Sequence, residues 1–339
     1  MIRRLPVYLL LDCSESMAGD PLNSVEIGFH KMLSALKRNP YALETVHISI
    51  ISFAAKAKVL APLTELSKVN PPPLTLRPGT SLGAALDLLR ESIQNDVIKT
   101  TSTVKGDYRP LAFILTDGYP TDDWESALNR LTAVKPAPAH IYAIGCGSEV
   151  NFETLSQIAD VCLQVDAVTG ESLANLFVWL TASIQSASVS PEAPLSLLKN
   201  IPLEKNLTLI DKERPPKYTD QKNYLFLHVT CRKTRQHFMS RYRYSPQSQF
   251  YVAEAAIPLP DDFFQEGSMK APAVDAGLLA GLLECPYCHD QGWGKCGFCG
   301  HLFCLPSDHF LPEITCPFCQ TTLKMRPDDE PFSVDGSVG

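Results

Sequence analysis

The sequence predicts an α/β fold: a doubly wound, mostly parallel sheet in the first half, then a β-rich segment and a short cysteine-dense one. Three observations lead there. Apolar runs of strand length alternate with helix-period patterns over residues 1–187. Two of those runs stop abruptly at an aspartate. Seven of the eleven cysteines fall between Cys285 and Cys319. Strands separated by helices imply parallel pairing with both sheet faces covered.

Residues 6–12 read as the first strand. Residues 22–37 follow as a helix, with Val25, Phe29, Met32, Leu33 and Leu36 spaced for one face. Residues 46–53 are a strand and 56–63 an edge strand. A helix over 82–94, a strand over 110–116 and a helix over 124–133 come next. A strand over 140–144, a helix over 152–159, a strand over 161–165 and a closing helix over 172–186 complete the domain. Small, polar, proline-bearing residues 187–194 suggest a linker. Residues 195–283 change texture: 224–230 and 238–244 are aromatic-rich strands flanking a basic tip, Cys231-Arg232-Lys233-Thr234-Arg235-Gln236, and 250–257 is a third strand. The bland reading of that tip is a solvated turn. A short helix over 274–283 leads into a zinc-binding segment, 284–323, and the acidic, proline- and glycine-bearing tail, 324–339, reads as disordered.

Composition excludes some function classes. A net charge of −7 gives no electrostatic footprint for nucleic acid or membrane surface. No apolar stretch has membrane-spanning length, and the N-terminal apolar run ends at Asp12, short of a signal-peptide core. The expectation is a cytoplasmic protein.

The stretch Asp12-Cys13-Ser14-Glu15-Ser16 places one carboxylate and two hydroxyls at a strand tip. Hard oxygen ligands on an open face suit Mg²⁺ or Mn²⁺, which keeps several waters. The tripeptide pattern alone is weak, since Asp and Ser also cap helices and make turns. It is joined by Thr80 in Pro78-Gly79-Thr80-Ser81 and by Asp117 at the end of another apolar run. Ligands of open α/β sheets sit beyond the carboxyl ends of strands, at a switch point. Asp12, Ser14, Ser16, Thr80 and Asp117, in that order and context, resemble the metal-ion-dependent adhesion site of von Willebrand factor A domains, a Rossmann-like fold. The resemblance implies that Ser14, Ser16 and Thr80 bind the ion directly, with Asp12 and Asp117 direct or through water.

In the second half the order is Cys285-x-x-Cys288, Cys296-x-x-Cys299, His301, Cys304 and Cys316-x-x-Cys319. Eight ligands suffice for two closed tetrahedral zinc sites. Glycine and proline in the turns suit zinc rather than an iron–sulfur cluster. A cross-braced pairing would join Cys285 and Cys288 to His301 and Cys304, and Cys296 and Cys299 to Cys316 and Cys319. A simple ribbon would join the outer pairs. His301 is the eighth ligand by position, with His289 and His309 as rivals better read as surface or capping residues. RING domains place histidine differently, and a zinc module that folds a tail lacking its own core is the blander account. Cys13, Cys146, Cys162 and Cys231 read as small buried apolar residues.

Longer phrases extend the likeness. Arg4-Leu5-Pro6-Val7-Tyr8-Leu9-Leu10-Leu11-Asp12, Asp107-Tyr108-Arg109-Pro110 and Leu115-Thr116-Asp117-Gly118-Tyr119-Pro120-Thr121-Asp122-Asp123-Trp124, with the zinc segment, resemble the TerY-type von Willebrand A proteins of bacterial tellurium-resistance systems. Glu15 departs from the usual glycine, and Cys296-x-x-Cys299 from a tighter pair. The resemblance implies a non-catalytic adaptor beside a Ser/Thr protein kinase and a PP2C-type phosphatase in stress response. Two other readings stand against it. One is a metal-dependent hydrolase, opposed by the lack of a histidine or second carboxylate cluster for acid–base work. The other is a scaffold in a DNA-repair or transcription assembly.

Overall fold

A computed structural model describes residues 3–117, 119–134, 137–147, 150–165, 169–189, 201–203, 205–216, 224–265, 273–306, 313–324, 333–335 and 337–338. The chain divides into two compact units, Met1–Thr219 and Asp220–Gly339.

The first unit runs β1 (Leu5–Asp12), α1 (Asp20–Leu36), α2 (Pro40–Thr45), β2 (Val46–Phe53), β3 (Ala57–Glu65), α3 (Leu82–Asp96), β4 (Leu111–Thr116), α4 (Trp124–Thr132), β5 (His140–Cys146), α5 (Phe152–Ile158), β6 (Val161–Val165), α6 (Gly170–Val189) and β7 (Leu207–Ile210). The sheet order is β3-β2-β1-β4-β5-β6-β7. The five inner strands are parallel, and β3 and β7 join antiparallel at the edges. Strand alternation distributes the core. Val7, Leu9 and Leu11 pack with Phe29 of α1 and Leu176 and Leu180 of α6. Tyr8 and Leu10 point the other way, to Leu86 and Leu89 of α3 and Leu131 of α4.

The chain leaves β1 for β2 on one side and returns to β4 on the other. The tips of β1 and β4 therefore flank the switch point, with Leu11 opposite Leu115. That register sets Asp12 beside Thr116 and Asp117.

Two elements of this unit were not anticipated. Helix α2 starts from Asn39, whose side chain accepts the Ala42 N–H, with Pro40 in its first turn. Strand β7 comes from the stretch assigned to the β-rich segment, yet it extends the first sheet. Most of the expected linker, from residue 190 on, lies outside the described residues.

The second unit contains β8 (Tyr224–Thr230), β9 (His237–Ser245), β10 (Phe250–Pro258), β11 (Ala273–Asp275), β12 (Leu279–Ala280), β13 (Trp293–Lys295), β14 (Leu302–Cys304), β15 (Glu313–Thr315), β16 (Thr322–Lys324), β17 (Ser333–Asp335) and β18 (Ser337–Val338). One sheet has the order β12-β10-β9-β8-β14-β13, with β18 also on β8. Strand β14 from the cysteine segment thus pairs directly with β8 from the aromatic segment. The expected boundary near residue 284 does not separate two domains. The segment keeps a small cluster of its own around Phe303 and Ile314, but its Cys285, Leu302 and Cys304 are buried in one core with Leu225, Leu227 and Val229.

The helix expected over 274–283 is absent. Ala273–Asp275 pairs with β17, Ala276–Leu278 makes a single 3-10 turn, and β12 lies parallel to β10. These pairings replace the helical run, and Gly281 follows β12 at φ +89°, with its Cβ position 3.1 Å from Ala253 Cβ. The tail expected to be disordered contributes β17 and β18.

Candidate metal centres

At the switch point Asp12 is 2 % exposed and Ser14 1 %. The Ser14 N–H donates to Asp12 Oδ1 at 2.9 Å, and Thr116 Oγ1 donates to Asp12 Oδ2 at 2.6 Å. The Ser14 and Ser16 hydroxyls are 3.0 Å apart, and Ser16 Oγ donates to Asp117 Oδ1 at 2.7 Å. Asp12, Ser14, Ser16 and Asp117 thus form one cluster of oxygens, built from two loops about a hundred residues apart.

Thr80 reaches the same end of the sheet on a third loop. Its N–H donates to Thr121 Oγ1 at 3.1 Å, and its carbonyl accepts the Thr121 N–H at 2.9 Å. Asp122 accepts from the Gly83 and Ala84 N–H groups at 2.9 and 2.8 Å, which caps α3. Asp123 separately caps α4 through the Ser126 N–H. The buried Glu15 takes the Gly79 N–H at 2.9 Å, and the Arg77 N–H bonds the Cys13 carbonyl at 3.0 Å. Three loops are therefore tied pairwise into a ring. Thr116 and Thr121 are parts of it that the sequence motif does not mark, and Glu15 stands out in the sequence only as a departure from glycine.

The electrostatics show what the cluster lacks. Burial pushes the Asp12 carboxyl up to about 6, against the hydrogen bonds from Ser14 and Thr116. Burial, then the Asp12 charge, pushes the half-buried Asp117 up to about 8. Two carboxylates so placed want a cation between them. The donors are all oxygen, so the residues fit a hard divalent ion, held by Asp12, Ser14, Ser16 and Asp117 with Thr80 close by.

The second unit holds two sulfur tetrads. Cys231, Cys285, Cys288 and Cys304 form one; Cys296, Cys299, Cys316 and Cys319 form the other, with all sulfurs of a group within 4.8 Å of one another. Tetrahedral zinc, with bonds of about 2.3 Å, sets its sulfurs about 3.8 Å apart. The distances are 3.5 Å for Cys288–Cys304 and 3.7 Å for both Cys296–Cys319 and Cys299–Cys316. Both groups fit.

One backbone turn is used four times. Arg235, His289, Gly300 and Gln320 each donate an N–H to the carbonyl of the cysteine four residues earlier, at 2.8, 3.0, 2.8 and 3.1 Å. All four have φ near +60 to +80°. The N–H groups of Cys231, Cys285, Cys296 and Cys316 in turn donate to the carbonyls of Gln236, Asp290, His301 and Thr321. Three of these knuckles carry a second cysteine. The fourth, at Cys231, carries Thr234 there, whose N–H donates to Cys231 Sγ at 3.4 Å. Its partner is strand-borne Cys304, which accepts the Arg232 N–H at 3.1 Å. N–H donors of this kind favour thiolate.

The expected set is corrected in one place. Cys231 takes the position assigned to His301. The His301 carbonyl closes a knuckle, while its ring stacks on Phe318 at 3.5 Å. His289 bonds Glu284, and His309 lies outside the described residues. The remaining pairing is the cross-braced one, not the ribbon. The basic tip is exposed over residues 233–236, as a solvated turn would be, while Arg232 and Lys233 pair with Asp290 at 3.4 and 3.1 Å. Cys231 stood outside the motif because its knuckle lacks the second cysteine. The tight turn between two strand patterns was its available signal.

With this geometry in view, residues 7–172 match the family model of the von Willebrand factor type A domain. The first unit carries a von Willebrand A domain. Such A domains typically serve as metal-dependent protein-interaction modules. Among solved structures, proximal thread matrix protein 1 from the mussel byssus is 18 % identical, with 54 % of this chain and 48 % of that chain aligned and a TM-score of 0.41. A form of it with a zinc-occupied MIDAS motif is 17 % identical, with the same coverage and TM-score. A von Willebrand factor type A protein from Catenulispora acidiphila is 16 % identical over 54 % of this chain and 43 % of that one, at a TM-score of 0.41. This chain spans less than half the length of each. No curated protein matches it. Among the described residues, no helix is long and apolar enough to cross a membrane.

Proposed function

We propose that the chain is a non-catalytic, metal-dependent protein-binding adaptor. The observation that carries this is the pair of carboxylates, Asp12 and Asp117, converging with two serine hydroxyls where the sheet switches direction. A divalent cation, Mg²⁺ or Mn²⁺, held there would offer an open position that a partner's Asp or Glu completes. Among the described residues, the polar side chains bonded to this cluster are serines, threonines and carboxylates. A hydrolase would need a general base besides the groups that hold the ion; Asp12 and Asp117 would be taken up in holding it, and the neighbouring Asp122 is spent on capping α3. This favours capture over turnover and weighs against the hydrolase reading.

In the second unit, two structural zinc ions at the cysteine tetrads would hold the knuckles and the β8–β9 turn together. They supply cross-links that a small sheet otherwise lacks. The partner class follows from the TerY resemblance alone: a Ser/Thr protein kinase or a PP2C-type phosphatase, in a bacterial stress response to tellurium, inside the cytoplasm.

The test is co-purification of tagged full-length chain from its own lysate, with and without EDTA. A kinase or phosphatase should be retained by wild type and lost from both the EDTA arm and Asp12→Ala. Because EDTA also strips zinc, the Asp12→Ala arm isolates the A domain. Retention by Asp12→Ala overturns the mechanism. Metal-dependent hydrolysis lost in Asp117→Ala would establish an enzyme instead.

A further inference from the structure

Thr80 reaches the cluster's end of the sheet on a loop of its own, and what aims it lies on another. Its N–H donates to Thr121 Oγ1 at 3.1 Å, and its carbonyl accepts the Thr121 N–H at 2.9 Å. Those two groups belong to the peptide planes on either side of the Thr80 Cα, so bonding both to one residue fixes the direction of its Cβ. A β-branched side chain is then stiff about χ1. Thr80 is 6 % exposed, and its hydroxyl makes no hydrogen bond among the described residues. Thr121 is exposed and follows the buried Pro120, four positions after Asp117. Bonds from Asp122 to the start of α3, and from Ser81 to the Ala54 and Ala55 carbonyls, hold the backbone around this pair.

We propose that Thr121 is a positioning residue for the A-domain metal site: its N–H and its hydroxyl together fix Thr80, so that the Asp117 loop sets both its own carboxylate and the threonine hydroxyl of the neighbouring loop. The inference rests on the metal-dependent reading above. The bond from the Thr121 N–H is open to any residue but proline. The bond to Oγ1 needs a short hydroxyl side chain. An N–H in a turn has no strand ladder to join, so without Oγ1 it would be left to water and the Thr80 peptide would be free to rotate. Pro120 restricts the backbone between Asp117 and Thr121, which puts the two ligands on one support. A hard cation with near-octahedral demands is sensitive to such placement.

Substitutions separate the hydroxyl from the rest of the side chain. Thr121→Val keeps the shape and the backbone N–H and removes Oγ1. Thr121→Ser keeps Oγ1 and removes the methyl. Thr80→Ala removes the ligand hydroxyl, and the double variant Thr80→Ala/Thr121→Val asks whether one residue acts through the other. The experiment uses zinc-loaded full-length chain, with Mn²⁺ binding followed by electron paramagnetic resonance and Asp12→Ala as the blank. Thr80 amide exchange is read without Mn²⁺.

Thr121→Val should bind Mn²⁺ about three- to tenfold more weakly, the range of one net hydrogen bond. Its Thr80 amide should exchange about tenfold faster or more, as a locally opened loop does. Thr121→Ser should match wild type in both. Once Thr80→Ala has lowered the affinity, adding Thr121→Val should lower it no further. Wild-type affinity or wild-type Thr80 protection in Thr121→Val overturns the inference. So does an equal loss in Thr121→Ser or an additive loss in the double variant, since either makes Thr121 merely structural. Wild-type affinity in Thr80→Ala overturns it as well, by removing Thr80 from the ligands, and leaves the metal-dependent reading intact at Asp12 and Asp117. Mn²⁺ binding by wild type no stronger than the Asp12→Ala blank overturns that reading and the inference with it.

Discussion

Ser16 donates its hydroxyl to Asp117 across 2.7 Å, joining the loops that follow β1 and β4. The bond lies where the sheet splits to either side, so no other strand intervenes. A short side chain can bridge the loops only because parallel neighbours bring both tips to one edge.

The metal-free site should make the A domain less stable as pH rises. Asp12 and Asp117 are raised to about 6 and about 8 in the folded chain, against about 4 for an unfolded aspartate. Between about pH 4 and 8 the folded state therefore holds more protons than the unfolded one, and stability falls through that window. Thermal melts without added divalent ion should show it. Asp117→Asn should flatten the slope, and saturating Mg²⁺ should raise the melting temperature most at pH 8. A wild-type slope identical to that of Asp117→Asn would contradict the argument.

Zinc content should follow the tetrads rather than the motif. Elemental analysis of wild type should give about two zinc ions per chain, at four ligands each. Cys231→Ser should lower this toward one, while His301→Ala keeps two. Loss of zinc in His301→Ala with retention in Cys231→Ser would restore the sequence-based ligand set.

Gly83→Ala should disturb the site from the far side of the Thr80 loop. An added Cβ would lie 2.8 Å from the Asp123 carbonyl oxygen and 2.9 Å from Trp124 Cα, both backbone atoms. Such overpacking costs about 1–3 kcal/mol. The strain falls where Asp122 ties the Asp117 loop to α3, so Mn²⁺ binding should weaken along with the melting temperature. Calorimetric melting and Mn²⁺ titration check this together.

Asp122→Ala tests the same tie without overpacking. It removes the acceptor of the Gly83 and Ala84 N–H groups. Loss of a helix cap costs about 0.5–2 kcal/mol. Asp122→Asn, which keeps one oxygen acceptor, should recover part of that in a denaturant titration.

Sequence alone determined the first unit's strand–helix alternation, because 3.6- and 2-residue periods are local properties of the chain. It also marked Asp12, Ser14, Ser16, Thr80 and Asp117 as a set, and six of the eight tetrad cysteines as knuckle pairs. The hydrogen-bonded ring around the A-domain cluster was not legible. Thr116, Thr121, Asp122 and Glu15 are ordinary polar residues until parallel pairing sets their loops side by side. Cys231 was decided only in three dimensions. It lies 54 residues before Cys285 in the chain, and the pairing of β14 with β8 brings Cys304 and the β8–β9 turn to one point. Strand pairing decided the missing helix over 274–283, because the partners of β11 and β12, strands β17 and β10, are distant in the chain and invisible to a local apolar run. Local pattern fixes elements, whereas a ligand set drawn from distant turns exists only once the sheet has chosen its neighbours.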